Sequence, residues 1–460
     1  MKFTQTKSEG LLNMIRNGQN MTLRQQVSLT LLLSIPGFFA QISHIIMEYI
    51  DASMVGSLGA ESSASIGLVA TTMWLFWGLT SSIASGFSVQ VAHFMGANKQ
   101  REARDVLRQS IVATLVFSIA LAMVGIGISS YLPVWLGGTE EINGGASAYF
   151  LIFAASIPVY QMHFIGASML RCSGNMATPS VLDVCMCLMD VVFNYFFIFI
   201  LDMGVVGAAI GTLCAETITA VLMMYFLCFK TKEMKIVGEH GSFKPTRKCI
   251  AKAIRIGLPM GIEHIVICVA QIFTTVIVAP LGKYAIAANS FGVTAESLCY
   301  MPGYGIADAA TTLVGQSLGA KRKELVKRFA KITVVMGVFS MTIMGIVMYI
   351  GAPLMMAILT PVEQIRQLGV SALRIEAFAE PMFAASIVCY GIFVGAGDTI
   401  IPAGMNFLSI WAVRLTLAAL LAPTMGLNGV WLAMCIELCF RGIIFLIRLK
   451  WGRWIKTEKI

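Results

Sequence analysis

The sequence predicts an all-α integral membrane protein of twelve transmembrane helices, built as two parallel six-helix lobes related by a pseudo-twofold axis along the membrane normal. Three observations predict it: apolar blocks of bilayer-crossing length, basic residues gathered in alternate loops, and an internal repeat. Of 460 residues, 57% are hydrophobic and only 12% charged, whereas a soluble domain carries about a quarter charged residues. The apolar residues fall in blocks of roughly 20 or more, the length a helix needs to cross about 30 Å of hydrocarbon. A spanning β-barrel would show alternating segments of about ten residues, and no such alternation is present.

The blocks place helices near 27–50, 66–95, 109–132, 147–170, 179–201 and 206–229. Six more follow near 251–280, 287–318, 329–358, 369–396, 402–424 and 427–448. Residues 1–26 form a polar lead-in, and the first block lacks a small-residue cleavage site, which argues against a removed signal peptide. Of the 33 Lys and Arg, 29 sit on one side of this arrangement: the N-terminus, the stretch from Lys99 to Arg108, Arg171, the segments Lys230–Arg255 and Lys321–Lys331, and the chain from Arg441 onward. Lys283 and Arg366 lie opposite. The positive-inside rule then puts both termini in the cytoplasm, in the plasma (inner) membrane. The net charge of +9 is thereby spent on orientation, and no nucleic-acid partner is expected. The eleven cysteines show neither metal-ligand nor disulfide spacing and read as small packing residues.

The repeat has an offset of 223 residues. Ser34-Ile35-Pro36 recurs as Gly257-Leu258-Pro259, Leu58-Gly59 as Leu281-Gly282, and Met95-Gly96-Ala97 as Leu318-Gly319-Ala320. Gly174 and Pro179 return as Gly397 and Pro402, and Gly204 and Gly207 as Gly426 and Gly429, one residue short. Six spans per repeat is an even number, so the halves share orientation. The expected division is an N-lobe of residues 1–233 and a C-lobe of 234–460, the latter opening with a charged linker containing Gly241 and Pro245. A cleft between the lobes is the expected substrate route.

An acid inside a span costs at least ~2.5–3.5 kcal/mol on insertion scales, so each is a functional candidate. In the first lobe Glu48 and Asp51 lie three apart on the first span. Asp190 and Asn194 lie four apart on the fifth with Asp183 two turns earlier, and Thr212 and Glu216 share a face of the sixth. Asp51, Asp190, Asn194 and Thr212 offer an oxygen set for Na+, or a carboxyl that takes up and releases a proton. Glu48, Asp183, Glu216 and Glu263 are accessory candidates. At the repeat offset Asp51 falls on Thr274, Asp190 on Val413 and Asn194 on Leu417. A packing role would recur in both halves, so the asymmetry favours function. In the second lobe Glu263, Glu296, Asp308, Arg374, Glu376, Glu380 and Arg414 mix both signs, which reads as an ion-pair network: Arg414, mid-span, must find an acid.

The run from Asp51 to Gly59 resembles the end of the first helix in the multidrug and toxic compound extrusion (MATE) family, in a DinF-like or related bacterial branch. Met95-Gly96-Ala97, Leu170-Arg171-Cys172-Ser173-Gly174, Gly257-Leu258-Pro259, Val314-Gly315-Gln316 and Gly395-Ala396-Gly397-Asp398 fall in the family's order, so the resemblance covers nearly the whole chain. It implies export of lipophilic, often cationic, small molecules by alternating access against an inward H+ or Na+ gradient. It also implies that Asp51, Asp190, Asn194 and Thr212 match the family's ion-coupling positions. Some members carry asparagine before aspartate on the fifth helix, the reverse of the order here. Acids that other branches place in the second lobe align with Ile267 and Phe383.

No cofactor beyond the coupling ion is expected, and a monomer is. The 29 methionines suit a cavity that repacks around varied ligands. No Gly-rich phosphate loop followed by Lys-Ser or Lys-Thr is present, and no His-Glu-x-x-His, so neither ATP hydrolysis nor enzymatic chemistry is expected. The alternative reading is a flippase for a lipid-linked saccharide or other amphiphile of the same superfamily, which would want a cationic central cavity, and Arg414 keeps it open.

Overall fold

A computed structural model describes residues 2–455; Lys456 and Lys459, two of the C-terminal basic residues, lie outside the described residues. Helix α1 (Lys2–Arg16) precedes the spans. The first repeat runs α2 (Leu23–Ser57), α3 (Ala60–Gly96), α4 (Gln100–Ile128), the single turn α5 (Leu132–Trp135), α6 (Glu140–Ser173), α7 (Ala177–Tyr195) and α8 (Gly204–Tyr225). The second runs α9 (Arg247–Val278), α10 (Lys283–Gly319), α11 (Lys323–Leu359), α12 (Glu363–Glu376), α13 (Glu380–Gly395), α14 (Ile400–Leu408), α15 (Thr416–Met425) and α16 (Leu427–Trp451). A π-helical turn at Ser409–Leu415 joins α14 to α15, and others extend α7 and α8.

Among the described residues ten helices are long and apolar enough to cross a bilayer, and α12 with α13 make an eleventh span bent by 61°. The twelfth expected span is α10, whose 37 residues include Lys283, Glu296 and Asp308 among many glycines and alanines. Long apolar side chains such as Val116, Met123, Ile350 and Ile358 remain exposed on the helix faces, as they do where lipid replaces water as the surrounding solvent.

The repeat is visible in individual dihedral angles. Positive φ occurs at Gly59 and Gly282, at Gly174 and Gly397, and at Gly204 and Gly426. It also occurs at Asn98 and Lys321, with φ of 57° and 59°. The helix ends match bond for bond: Gly174 and Asn175 donate to the carbonyls of Arg171 and Leu170, while Gly397 and Asp398 donate to those of Val394 and Phe393. This is the reciprocal bonding that satisfies the last carbonyls of a helix through a left-handed residue. The repeats part at the fourth span. Pro158 lies inside an unbroken α6, whereas its counterpart Pro381 opens α13 after the break.

By its contacts the chain forms two compact units: residues 1–17 with 42–261, and residues 18–41 with 262–460. The expected cut at 233 thus follows the repeat, while the packing does not. Unit 2 takes the opening half of α2, and unit 1 takes the opening half of α9. Within unit 2, Gly37 and Gly305 let those backbones nearly touch, since a Cβ on Gly305 would stand 2.6 Å from the Gly37 carbonyl carbon. Within unit 1, a Cβ on Gly257 would stand 2.7 Å from the Ser82 carbonyl oxygen. Such close approach supplies dispersion and weak backbone contacts that replace the missing hydrophobic drive between helices in lipid. Around Phe87, Val91, Met95, Leu170 and Met223 unit 1 forms an apolar core; unit 2 does so around Trp431, Met348 and Met356.

Two segments are more ordered than their composition suggests. Helix α1 buries Leu11, Leu12 and Ile15 within unit 1, and Arg16 donates to the Ser173 carbonyl at 2.8 Å. The charged linker is tied to the start of α4: Arg104 donates to the Glu233 carbonyl at 3.0 Å, and Arg108, 2% exposed, to the Glu239 carbonyl at 3.0 Å.

Candidate ion-coupling site

Helix geometry brings the first-lobe candidates together inside unit 1. Asp190 and Asn194, one turn apart on α7, face Asp51 of α2 and Thr212 of α8. Asn194 Nδ2 donates to both acids, to Asp51 Oδ1 at 3.0 Å and to Asp190 Oδ2 at 2.9 Å. Asp190 is 0% exposed and Asn194 1%, while Asp51 is half-buried. Gly211 permits the arrangement, because a Cβ there would stand 2.8 Å from the Asn194 backbone nitrogen and 2.1 Å from its Oδ1. Tyr149 of α6 closes the neighbourhood, packing with Val55, Ile198 and Ala208.

The two carboxyls lie within hydrogen-bonding reach of each other. Two carboxylates so close repel strongly, a repulsion that a bound proton or cation would relieve. Asp190 Oδ1 and Asn194 Oδ1 are buried with no donor, and a hydroxyl stands beside them. Carboxylate, amide and hydroxyl oxygens are the donors that a hard cation accepts. Among the described residues no three His, Cys, Asp or Glu side chains gather as a transition-metal site.

The accessory candidates separate. Glu48 is 45% exposed and faces His44 at 3.6 Å. Asp183 and Glu216 are drawn to His163 of α6, which no sequence pattern singled out. Its Nε2 lies 3.1 Å from Asp183 Oδ1 and its Nδ1 2.7 Å from Glu216 Oε1, while Arg171 Nη2 holds Asp183 Oδ2 at 3.0 Å.

In unit 2, Arg414 finds its acid in Glu437, a residue absent from the expected set. Glu437 Oε2 accepts from Arg414 Nη2 at 2.6 Å, Glu437 Oε1 from Arg441 Nε at 2.7 Å, and Ser409 donates to it as well. Glu263 accepts from Tyr390 and Asn406. Glu376 and Glu380 flank the break between α12 and α13, each 1% exposed with neither carboxylate oxygen hydrogen-bonded, and Glu296 is buried within electrostatic reach of both. Asp308 is half-buried on α10. Arg374 lies over the Tyr349 ring at 5.4 Å and lines an open groove of about 910 Å³ with Glu363, Arg366 and Phe378.

The MatE family model matches residues 36–196 and 259–420. The two matched stretches begin 223 residues apart, the offset of the internal repeat, and together they cover well over half the chain. This chain belongs to the MatE family. Among its relatives is a probable multidrug resistance protein NorM of Thermotoga maritima, 24% identical over 92% of each chain. A MATE crystal structure in complex with MaL6 superposes with a TM-score of 0.89 at 20% identity, covering 96% of this chain and 97% of the other. A MOP superfamily transporter from Pyrococcus furiosus gives 0.89 at 21% identity, covering 97% and 99%. The MATE fold therefore extends over nearly the whole chain, and MATE proteins are membrane transporters.

Proposed function

We propose that this chain is a secondary antiporter that exports lipophilic, often cationic, small molecules in exchange for inward H+ or Na+. The observation that carries the coupling site is the buried pair Asp51 and Asp190, bridged by one amide and bordered by Thr212. When the pair holds a proton or Na+, its repulsion is relieved and the surrounding helices settle into one packing; empty, it favours another. A substrate that prefers the second packing is then released as the ion binds, which is all that exchange requires. The multidrug-resistance names of the relatives support the substrate class. The bias of basic residues supports a plasma-membrane protein with both termini in the cytoplasm.

The saccharide-flippase alternative leaned on Arg414. Two N–H groups of that guanidinium donate to Glu437 Oε2 and tie it down, which leaves it poorly placed to receive a phosphate.

The test is efflux of a fluorescent lipophilic cation from vesicles under separate proton and sodium gradients. Asp51→Asn and Asp190→Asn each remove a charge while keeping size, and each is expected to reduce gradient-driven efflux by about tenfold or more, the scale of a buried charge interaction of ~1.4 kcal/mol or above. Wild-type efflux in both variants would refute the coupling role.

A further inference from the structure

In unit 1 both ring nitrogens of His163 face carboxylate oxygens, Glu216 on one side and Asp183 on the other. A neutral imidazole donates from one nitrogen and accepts at the other, so it would set a lone pair against one of those carboxylates. Only the doubly protonated ring, or a proton already placed on a carboxyl, satisfies both contacts. A histidine so placed has a proton to give on one side and a site to refill on the other.

The side chains around it form an ordered series. Asp190 is 0% exposed; the side chains of Glu216, His163, Asp183 and Arg171 are 4%, 11%, 16% and 24% exposed. Glu216 lies one helical turn beyond Thr212, which faces Asp190, a step of ~5–6 Å that a single water can bridge. The far end of the series is Arg171, in the turn where the charge bias places the cytoplasm.

We propose that His163 is the proton relay between the Asp51–Asp190 pair and the Arg171 end of the helices. This rests on the coupling reading above and specifies H+ as the ion. Asp190 gives its proton to the Glu216 carboxylate. The imidazolium gives its Nε2 proton to Asp183, the neutral ring turns over so that the bared nitrogen faces Glu216, and that nitrogen takes the Glu216 proton, which restores the imidazolium. Asp183 passes its proton to water beside Arg171, whose guanidinium favours the carboxylate that remains. Each step breaks one O–H or N–H bond and forms another, and no other reactant is needed. The groups facing this chain are Arg171 and Tyr160 on α6, Asp183 and Asp190 on α7, Glu216 and Thr212 on α8, and His44 of α2, which acts on Asp183. Among the described residues no side chain of α3 or α4, also packed on α6, pairs with His163.

The rival role is a static cation clamping α6 to α7 and α8. His163→Lys keeps that charge and cannot relay at neutral pH; His163→Gln keeps the size and loses the proton. Full-length protein in proteoliposomes would be assayed for ethidium binding at equilibrium, and for dye-driven proton flux with an internal pH dye, alongside Asp51→Asn and Asp190→Asn. The relay requires wild-type proton flux, dye binding within about twofold of wild type in at least one His163 variant, and proton flux lower by about tenfold or more in that variant. Wild-type flux in either His163 variant would overturn it, as would loss of dye binding in both, or dye exchange in the wild type that moves no protons. Full flux in the Asp51 and Asp190 variants would instead sink the coupling reading itself.

Discussion

Glu437 shows how far single residues could be read. Arg414 in mid-span demanded an acid, and one exists in Glu437, itself near the middle of α16, but nothing in the sequence says which acid of another span faces the arginine. Two guanidiniums share one buried carboxylate, with Glu296 and Glu376 within electrostatic reach of Arg414. Glu437→Gln keeps the shape and removes the shared acceptor charge. Breaking a buried pair from one side costs about 3–5 kcal/mol, so Tm in detergent is expected to fall by several degrees and expression to drop. An unchanged Tm would show that the arginines are satisfied elsewhere. The first-lobe acids were legible because a charge in an apolar run is conspicuous. His163 was not, since a lone histidine on a helix acquires meaning only from neighbours on two other helices.

Helices were legible by length and polarity, and two were misjudged for physical reasons. The block 369–396 read as one span because proline within a membrane helix is compatible with continuation or with a break. The outcome differs between the repeats: at Pro158 the preceding Ile157 stays in α6, whereas at Pro381 the preceding Glu380 begins a new helix. An acid in a first turn gains from the helix dipole, an advantage that isoleucine lacks. Helix α1 was missed because its apolar stripe is narrow, three buried side chains within a polar sequence. Leu12 is 1% exposed, so Leu12→Ala is expected to weaken docking of α1 by about 2–5 kcal/mol. Limited proteolysis between residues 17 and 22 checks it, with cleavage expected to be faster than in the wild type.

For the whole molecule, the repeat was written in the sequence down to matching glycines, but its partition into packed units was not. Offsets reveal which residues are equivalent; they do not reveal which helix half packs with which. The orientation carries its own prediction. In a cysteine-free background, Gln364→Cys at the start of α12 should react with a membrane-impermeant maleimide on intact cells, whereas Ser242→Cys in the linker should react only after the cells are opened. The opposite pattern would invert the assignment. Helix α2, divided between the two units, also bears on biogenesis. Gly37 meets Gly305, which the ribosome makes roughly 270 residues later, a delay of about 15–50 seconds at common elongation speeds. Throughout that interval the first half of α2 must be sheltered by lipid or by insertion machinery, so the first span synthesised is among the last to reach its resting place.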